Sequence, residues 1–230
     1  MFNQKKHRVL LTQILKSIYS DLDLRTNLGF KGGSAAMMFY GLPRLSVDLD
    51  FDLLQPEKKL LVFERVKKKL SEFGLIREAT EKKFTLFFLL SYEKGQRTVR
   101  IEISKWPGSN NYEVKSYLGI SMLVVEQADM FAGKLAALLT RKKFAMRDVY
   151  DLWFFLDKNW PINEFVLKEK TELSFREALR KAIKKVLSVP QNQLLMGLGD
   201  LLETEKQKNW VREHLISDTI FLLKLRLENC

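Results

Sequence analysis

Between Leu45 and Leu53 the sequence reads Leu-Ser-Val-Asp-Leu-Asp-Phe-Asp-Leu, an alternation with a period of two. Successive side chains of a β-strand point to opposite faces, so Val47, Leu49, Phe51 and Leu53 share one face and Asp48, Asp50 and Asp52 the other. The apolar face demands a covering layer, while the other face lines up carboxylates about 6.6–7 Å apart along the strand. Like charges so arranged on a sheet are costly unless a cation sits among them. An oxygen-seeking divalent ion such as Mg2+ answers that need. A solvent-facing alternating strand is the plainer alternative.

The flanking patterns place this strand in a mixed α+β chain. Val9, Leu10, Ile14, Leu15 and Ile18 recur at helical spacing and predict an amphipathic helix over Gln4 to Tyr19. After a polar break at Asp21 to Asn27, a short strand Leu28-Gly29-Phe30 runs into Gly32-Gly33-Ser34. There Ser34 is expected to cap a helix from Ala35 to Tyr40, closed by Gly41 and Pro43. Helical spacing returns over Glu57 to Phe73, and strands are predicted at Phe84 to Tyr92 and Thr98 to Ser104, joined by the turn Glu93-Lys94-Gly95-Gln96. Beyond the break Trp106-Pro107-Gly108-Ser109-Asn110-Asn111, one further strand is expected within Tyr112 to Leu123. Helices then dominate, at 126–141, 147–157, 163–169, 174–188 and 209–227. The expected organisation is an α/β core over 1–110 and a mainly helical domain over 111–230.

Several residues in this frame carry chemistry. Glu102 lies on the polar face of its strand between Ile101 and Ile103, and if that strand pairs near the first it joins Asp48 and Asp50. Two or three carboxylates from adjacent strands are what two-metal phosphoryl or nucleotidyl transfer requires. Gly32-Gly33-Ser34 sits between a strand and a helix start, where glycine lets backbone approach a phosphate and free N–H groups favour an anion. Its spacing matches neither a P-loop nor a dinucleotide-binding fingerprint. Followed by D-x-D, it reads as a triphosphate site facing a metal site. Lys134 stands among small residues on a helix, either snorkelling or reaching a phosphate. Asp148 is suited to a helix start, with Arg147 as an ion-pair partner or phosphate contact.

Composition removes other classes of chemistry. Lys plus Arg number 39 against 28 Asp plus Glu, a formal charge of +11 that suits a polyanionic partner such as RNA. One cysteine, Cys230, excludes an internal disulfide and a cysteine-based zinc site, and two histidines make histidine-centred catalysis a poor fit. No apolar run approaches the ~20 residues that span a bilayer, and no apolar segment follows Met1-Phe2-Asn3-Gln4-Lys5. The expected location is the cytoplasm, with no membrane partner.

The stretch KGGSAAMMFYGLPRLSVDLDF, residues 31–51, resembles the first motif of the AbiEii/AbiGii toxin family, a branch of the nucleotidyltransferase superfamily that includes DNA polymerase β. FAGKLAALLTRKKFAMRDVYDL, residues 131–152, resembles later motifs of the same family. The resemblance implies a nucleotidyltransferase palm-like mixed sheet with flanking helices. It implies Asp48, Asp50 and Glu102 on Mg2+, two ions in all, and Gly32, Gly33, Ser34, Arg44 and Lys134 on a nucleoside triphosphate. It gives Asp148 a catalytic place and leaves Asp151, one turn on, structural. It further implies the tRNA 3′ end as acceptor and a cognate antitoxin protein as partner. Two other readings remain: a nucleotidyltransferase acting on a small molecule or protein side chain, and a non-catalytic nucleic-acid-binding module.

Overall fold

A computed structural model of the chain describes residues 2–106 and 108–230; Met1 and Pro107, the latter in the break after Ser104, lie outside the described residues. The chain forms two compact units, Met1–Gly41 with Leu45–Val125, and Leu42–Arg44 with Glu126–Cys230.

The first unit carries a seven-stranded mixed sheet. In chain order its strands are β1 (Leu28–Lys31), β2 (Leu49–Leu53), β3 (Leu75–Glu81), β4 (Thr85–Ser91), β5 (Val99–Ser104), β6 (Tyr112–Tyr117) and β7 (Ile120–Val125). They lie side by side in the order β3-β4-β5-β2-β1-β7-β6. β2 is thus interior, antiparallel to β1 and parallel to β5. The helices of this unit are α1 (Gln4–Tyr19), α2 (Leu22–Asn27), α3 (Gly32–Tyr40) and α4 (Lys59–Ser71). Asn3 caps α1 through the Lys6 N–H, and Asp21 caps α2 through the N–H groups of Asp23 and Leu24.

The period-two pattern of β2 is realised as read: Leu49 and Phe51 are fully buried. Phe51 meets Phe30 of β1 at 5.3 Å between ring centroids and Tyr19 of α1 at 6.3 Å. Phe88 of β4 meets Phe63 of α4 at 5.0 Å. Leu11, Ile14, Leu15 and Ile18 of α1 and Val62, Val66 and Leu70 of α4 complete this core. Each such side chain contributes about 1.5–3 kcal/mol of burial, so one face of the sheet is fixed and the polar face is fixed with it.

Several elements differ from expectation, the first being the break expected over Asp21 to Asn27, where Leu22–Asn27 forms α2. β3 was not foreseen: its residues Leu75-Ile76-Arg77-Glu78-Ala79-Thr80-Glu81 form a half-exposed edge with a register shift between Ile76 and Glu78, so little alternation survives. The expected single strand within 112–123 is a hairpin, turning at Leu118-Gly119, both with positive φ. That hairpin joins the sheet through the parallel pairing of β7 with β1, which carries the compact first unit to Val125 rather than to the change in pattern near residue 110.

The second unit is helical: α5 (Gln127–Thr140), α6 (Met146–Asp157), α7 (Glu164–Thr171), α8 (Phe175–Leu187), α9 (Glu205–Glu213) and α10 (Leu215–Glu228). Reciprocal side-chain and backbone bonds start α8 (Ser174 with Glu177) and α9 (Thr204 with Gln207). The helix expected over 209–227 is interrupted at His214, which separates α9 from α10. Trp160 stacks on Phe155 at 4.1 Å in the core of this unit. Among the described residues, no helix is long and apolar enough to cross a membrane.

Candidate active site

The Gly-Gly-Ser turn and the D-x-D strand meet in the first unit. Gly32 has φ +78°, and a Cβ built on it would lie 2.4 Å from Asp50 Oδ2. Only glycine lets the carboxylate rest against the turn. Helix α3 begins at Gly32 rather than Ala35, with Lys31 at the cap supplying no side-chain bond. Ser34 is therefore not the cap. It lies inside the first turn, fully buried, and its hydroxyl donates to the backbone carbonyl of Asp48. The turn and the acidic strand are stitched together by that bond, while the first-turn N–H groups of α3 receive no side-chain acceptor from the cap.

The strand register brings Glu102 to the same place. Asp50 is the partner of Lys31 on one side and of Glu102 on the other, so both carboxylates sit on one face of adjacent strands. The row of three aspartates, however, is not left without protein cations. Arg100, two residues before Glu102, donates from Nη2 to Asp48 Oδ2 at 2.6 Å. Lys31 Nζ bonds Asp52 Oδ1 at 2.5 Å, and Asp52 Oδ2 accepts from the Tyr112 hydroxyl at 2.7 Å and Asn110 at 2.8 Å. Tyr112 reaches it by lying across Gly29, where any Cβ would fall 2.1 Å from the ring. Asp52 is thus a buried hydrogen-bond hub, and Asp48 and Asp50 remain as the D-x-D pair beside Glu102.

These donors are all carboxylate oxygens on one face, the chemistry preferred by Mg2+ or Mn2+. Asp48 is drawn toward Arg100, and among the described residues no three acidic, histidine or cysteine side chains are gathered closely as a ligand set. Oxygen donors fit a hard divalent ion in kind, with a protein cation already against one of them.

His7 supports the site from beneath. It is fully buried in α1, its Nε2–H donating to the Val47 carbonyl at 3.0 Å while Nδ1 accepts from the Tyr92 hydroxyl at 3.0 Å. Burial is the largest influence and pushes its pKa down, which suits that neutral tautomer. Sequence reading set histidine aside and assigned no part to Arg100; the sign of Arg100, two positions from Glu102, was the available signal.

Lys134, Asp148 and Arg44 belong to the second unit, where they form a buried ionic cluster around Asp151. Arg44 grips Asp151 with two parallel bonds, Nε to Oδ1 at 2.6 Å and Nη2 to Oδ2 at 2.7 Å. Lys134 Nζ lies 2.8 Å from Asp151 Oδ2 and 3.1 Å from Asp148 Oδ1. Arg141 Nη1 reaches Asp148 Oδ2 at 2.8 Å. Arg44, expected on the triphosphate, has only 2% of its side chain exposed and is committed to Asp151. Its partner lies 107 residues away, beyond the reach of any local pattern. Asp151, expected to be structural, is fully buried between Arg44 and Lys134.

Burial alone would raise the Asp151 carboxyl, but Arg44 and Lys134 outweigh it and hold its pKa below the ordinary 3.8. Burial would lower the Lys134 ammonium, but Asp151 and Asp148 hold it above the ordinary 10.5. The signs are then fixed. The Asp151 contribution to stability is complete above 3.8 and lost as pH falls through its depressed value. The Lys134 contribution is complete below 10.5 and lost as pH climbs through its raised value. Melting followed by tryptophan fluorescence is expected to stay level from about pH 7 to 9, to decline below that as the unfolded chain takes up a proton that buried His7 refuses, and to fall further at both extremes; a melting temperature that rises on acidification from about pH 7 would contradict this.

Gly32→Ala offers a local test of the turn. An αL residue with a side chain costs about 1–2 kcal/mol, and its Cβ must expel the Asp50 carboxylate. A lowered melting temperature together with a displaced Asp50 in the variant's crystal structure is expected.

A mixed sheet carrying Asp50 on an interior strand, Glu102 in register beside it and a glycine turn against Asp50 has the layout that the family resemblance implies. The same fold is found in the crystal structure of JHP933 from Helicobacter pylori, at a TM-score of 0.64 and 20% identity, covering 100% of this chain and 96% of that one. A second H. pylori crystal structure, provisionally described as a nucleotidyltransferase, matches at 0.64 and 20% identity over 97% and 96% of the two chains. No match is found among curated proteins. The family model of the nucleotidyl transferase AbiEii toxin, type IV toxin–antitoxin system, matches residues 13–216, and the chain belongs to that family. It is accordingly a nucleotidyl transferase, a toxin of the type IV toxin–antitoxin class.

Proposed function

We propose that the chain transfers a nucleoside monophosphate from a nucleoside triphosphate to the tRNA 3′ end, with Mg2+ as cofactor and a cognate antitoxin as its partner. The observation carrying this reading is the contact of Asp50 with Gly32 while Glu102 stands in register beside it. Asp48, Asp50 and Glu102 would hold Mg2+, two ions in the form proposed, which neutralises charge on the phosphates when bound. The N–H groups of Gly33 and Ser34 bind phosphate oxygens. The acceptor oxygen bonds to the α-phosphorus as the bond to the β-phosphate bridging oxygen breaks; pyrophosphate leaves with the electron pair. The hydroxyl proton is given up to water, with Glu102 or Asp148 orienting the attacking oxygen. Lys134 and Asp148 enter the proposal through the helix motifs alone, and Lys134→Met is expected to reduce transfer.

The acceptor is assigned to RNA because a charge of +11 favours a polyanion and disfavours small cationic substrates. The test supplies each α-labelled nucleoside triphosphate with Mg2+, with total RNA or without it. Label in tRNA supports the proposal; label on the protein or a small acceptor supports the alternative enzyme; no transfer with firm RNA binding supports a non-catalytic module. In cells, expression is expected to arrest growth, and Asp48→Ala to relieve the arrest.

A further inference from the structure

We infer that Arg100 is a built-in counter-cation of the acidic face, exchanged for the divalent ion when that ion binds; this rests on the metal-dependent reading given above. Arg100 and Glu102 occupy alternate positions of β5 and therefore the same face, and the parallel register sets Asp50 beside Glu102. The guanidinium lies 2.6 Å from Asp48 Oδ2 and feels the charges of Glu102 and Asp50 as well. It thus pairs with one of the carboxylates assigned to the metal and lies in the field of the other two, and it cannot shed its proton.

A divalent ion needs the same carboxylate oxygens. Bringing it beside the guanidinium costs like-charge repulsion and one charge-assisted bond, so the two cations compete. The Arg100 side chain is 42% exposed and long, so it leaves Asp48 by a change of rotamer without disturbing the sheet. Without metal it relieves repulsion along the acidic row; with metal it is released toward the anionic substrate.

The test is Mn2+ binding to the full chain without nucleotide, read by electron paramagnetic resonance, for wild type, Arg100→Gln, Arg100→Lys and Asp50→Asn. Removing the competitor is expected to tighten Mn2+ roughly 3- to 10-fold in Arg100→Gln. Arg100→Lys, which keeps the charge, is expected to stay near wild type. A residue that merely ordered Asp48 would weaken binding when removed, the opposite sign. Equal or weaker Mn2+ binding in Arg100→Gln, with wild type binding and Asp50→Asn not, overturns this inference and leaves the nucleotidyl-transfer reading standing. No difference between wild type and Asp50→Asn overturns both. A single cooperative melting transition in each variant establishes that it is folded.

Discussion

Asp50→Asn is expected to slow nucleotidyl transfer by about 10³-fold, while the melting temperature stays close to that of the wild type. The substitution keeps the shape of a side chain resting against Gly32 and removes only its charge. Its strand is interior and its apolar residues Leu49 and Phe51 are untouched, so the fold has little reason to respond. The companion variant Asp52→Asn carries the opposite expectation. Asp52 is engaged by Lys31, Tyr112 and Asn110 and lies almost wholly inside, so its loss lowers stability and leaves transfer intact wherever the protein remains folded. Labelled nucleotide passed to RNA per minute, measured beside thermal melting, separates the two. Transfer by Asp50→Asn within tenfold of wild type would sink the assignment of this strand.

The largest loss of stability is expected at Asp151. Asp151→Ala leaves the Arg44 guanidinium and the Lys134 ammonium inside with their shared carboxylate gone. Breaking a buried ion pair from one side costs about 3–5 kcal/mol, because the survivor is left uncompensated. Against a total of roughly 5–15 kcal/mol, that removes from about a fifth to all of the stability of an ordinary protein. Urea unfolding followed by tryptophan fluorescence is a suitable measurement, since Trp153, Trp160 and Trp210 all lie in the helical unit. Arg44→Met combined with Asp151→Leu should recover much of the loss, as replacing both partners removes the stranded charge. A cost below 1 kcal/mol for Asp151→Ala would show that water reaches the cluster.

Much of this arrangement is legible in sequence because it depends on short-range periodicity. The helix expected over Gln4 to Tyr19 has those bounds, and the alternation at 47–53 correctly separates the buried Leu49 and Phe51 from the acids. Glu102 could be placed on a polar strand face, but only pairing shows that Asp50 is its neighbour. Ser34 has the composition of a cap, yet the positive φ of Gly32 starts the helix earlier and frees the hydroxyl for Asp48. The ion pairs Arg100–Asp48 and Arg44–Asp151 join residues 52 and 107 positions apart, and no local rule announces them. Three aspartates on one strand face do not by themselves call for a metal, because neighbouring elements supply Arg100 and Lys31.

The interior position of β2 has a consequence for synthesis of the chain. Its hydrogen-bonding partner on one side, β5, begins only at Val99, and the parallel pairing between them cannot form until that segment has left the ribosome. A prematurely terminated product ending before that point would present an open strand edge with an apolar flank, so it is expected to be sticky and inert rather than poisonous to its host. The acidic strand and Glu102 are thus brought together only after the segment beginning at Val99 has been made.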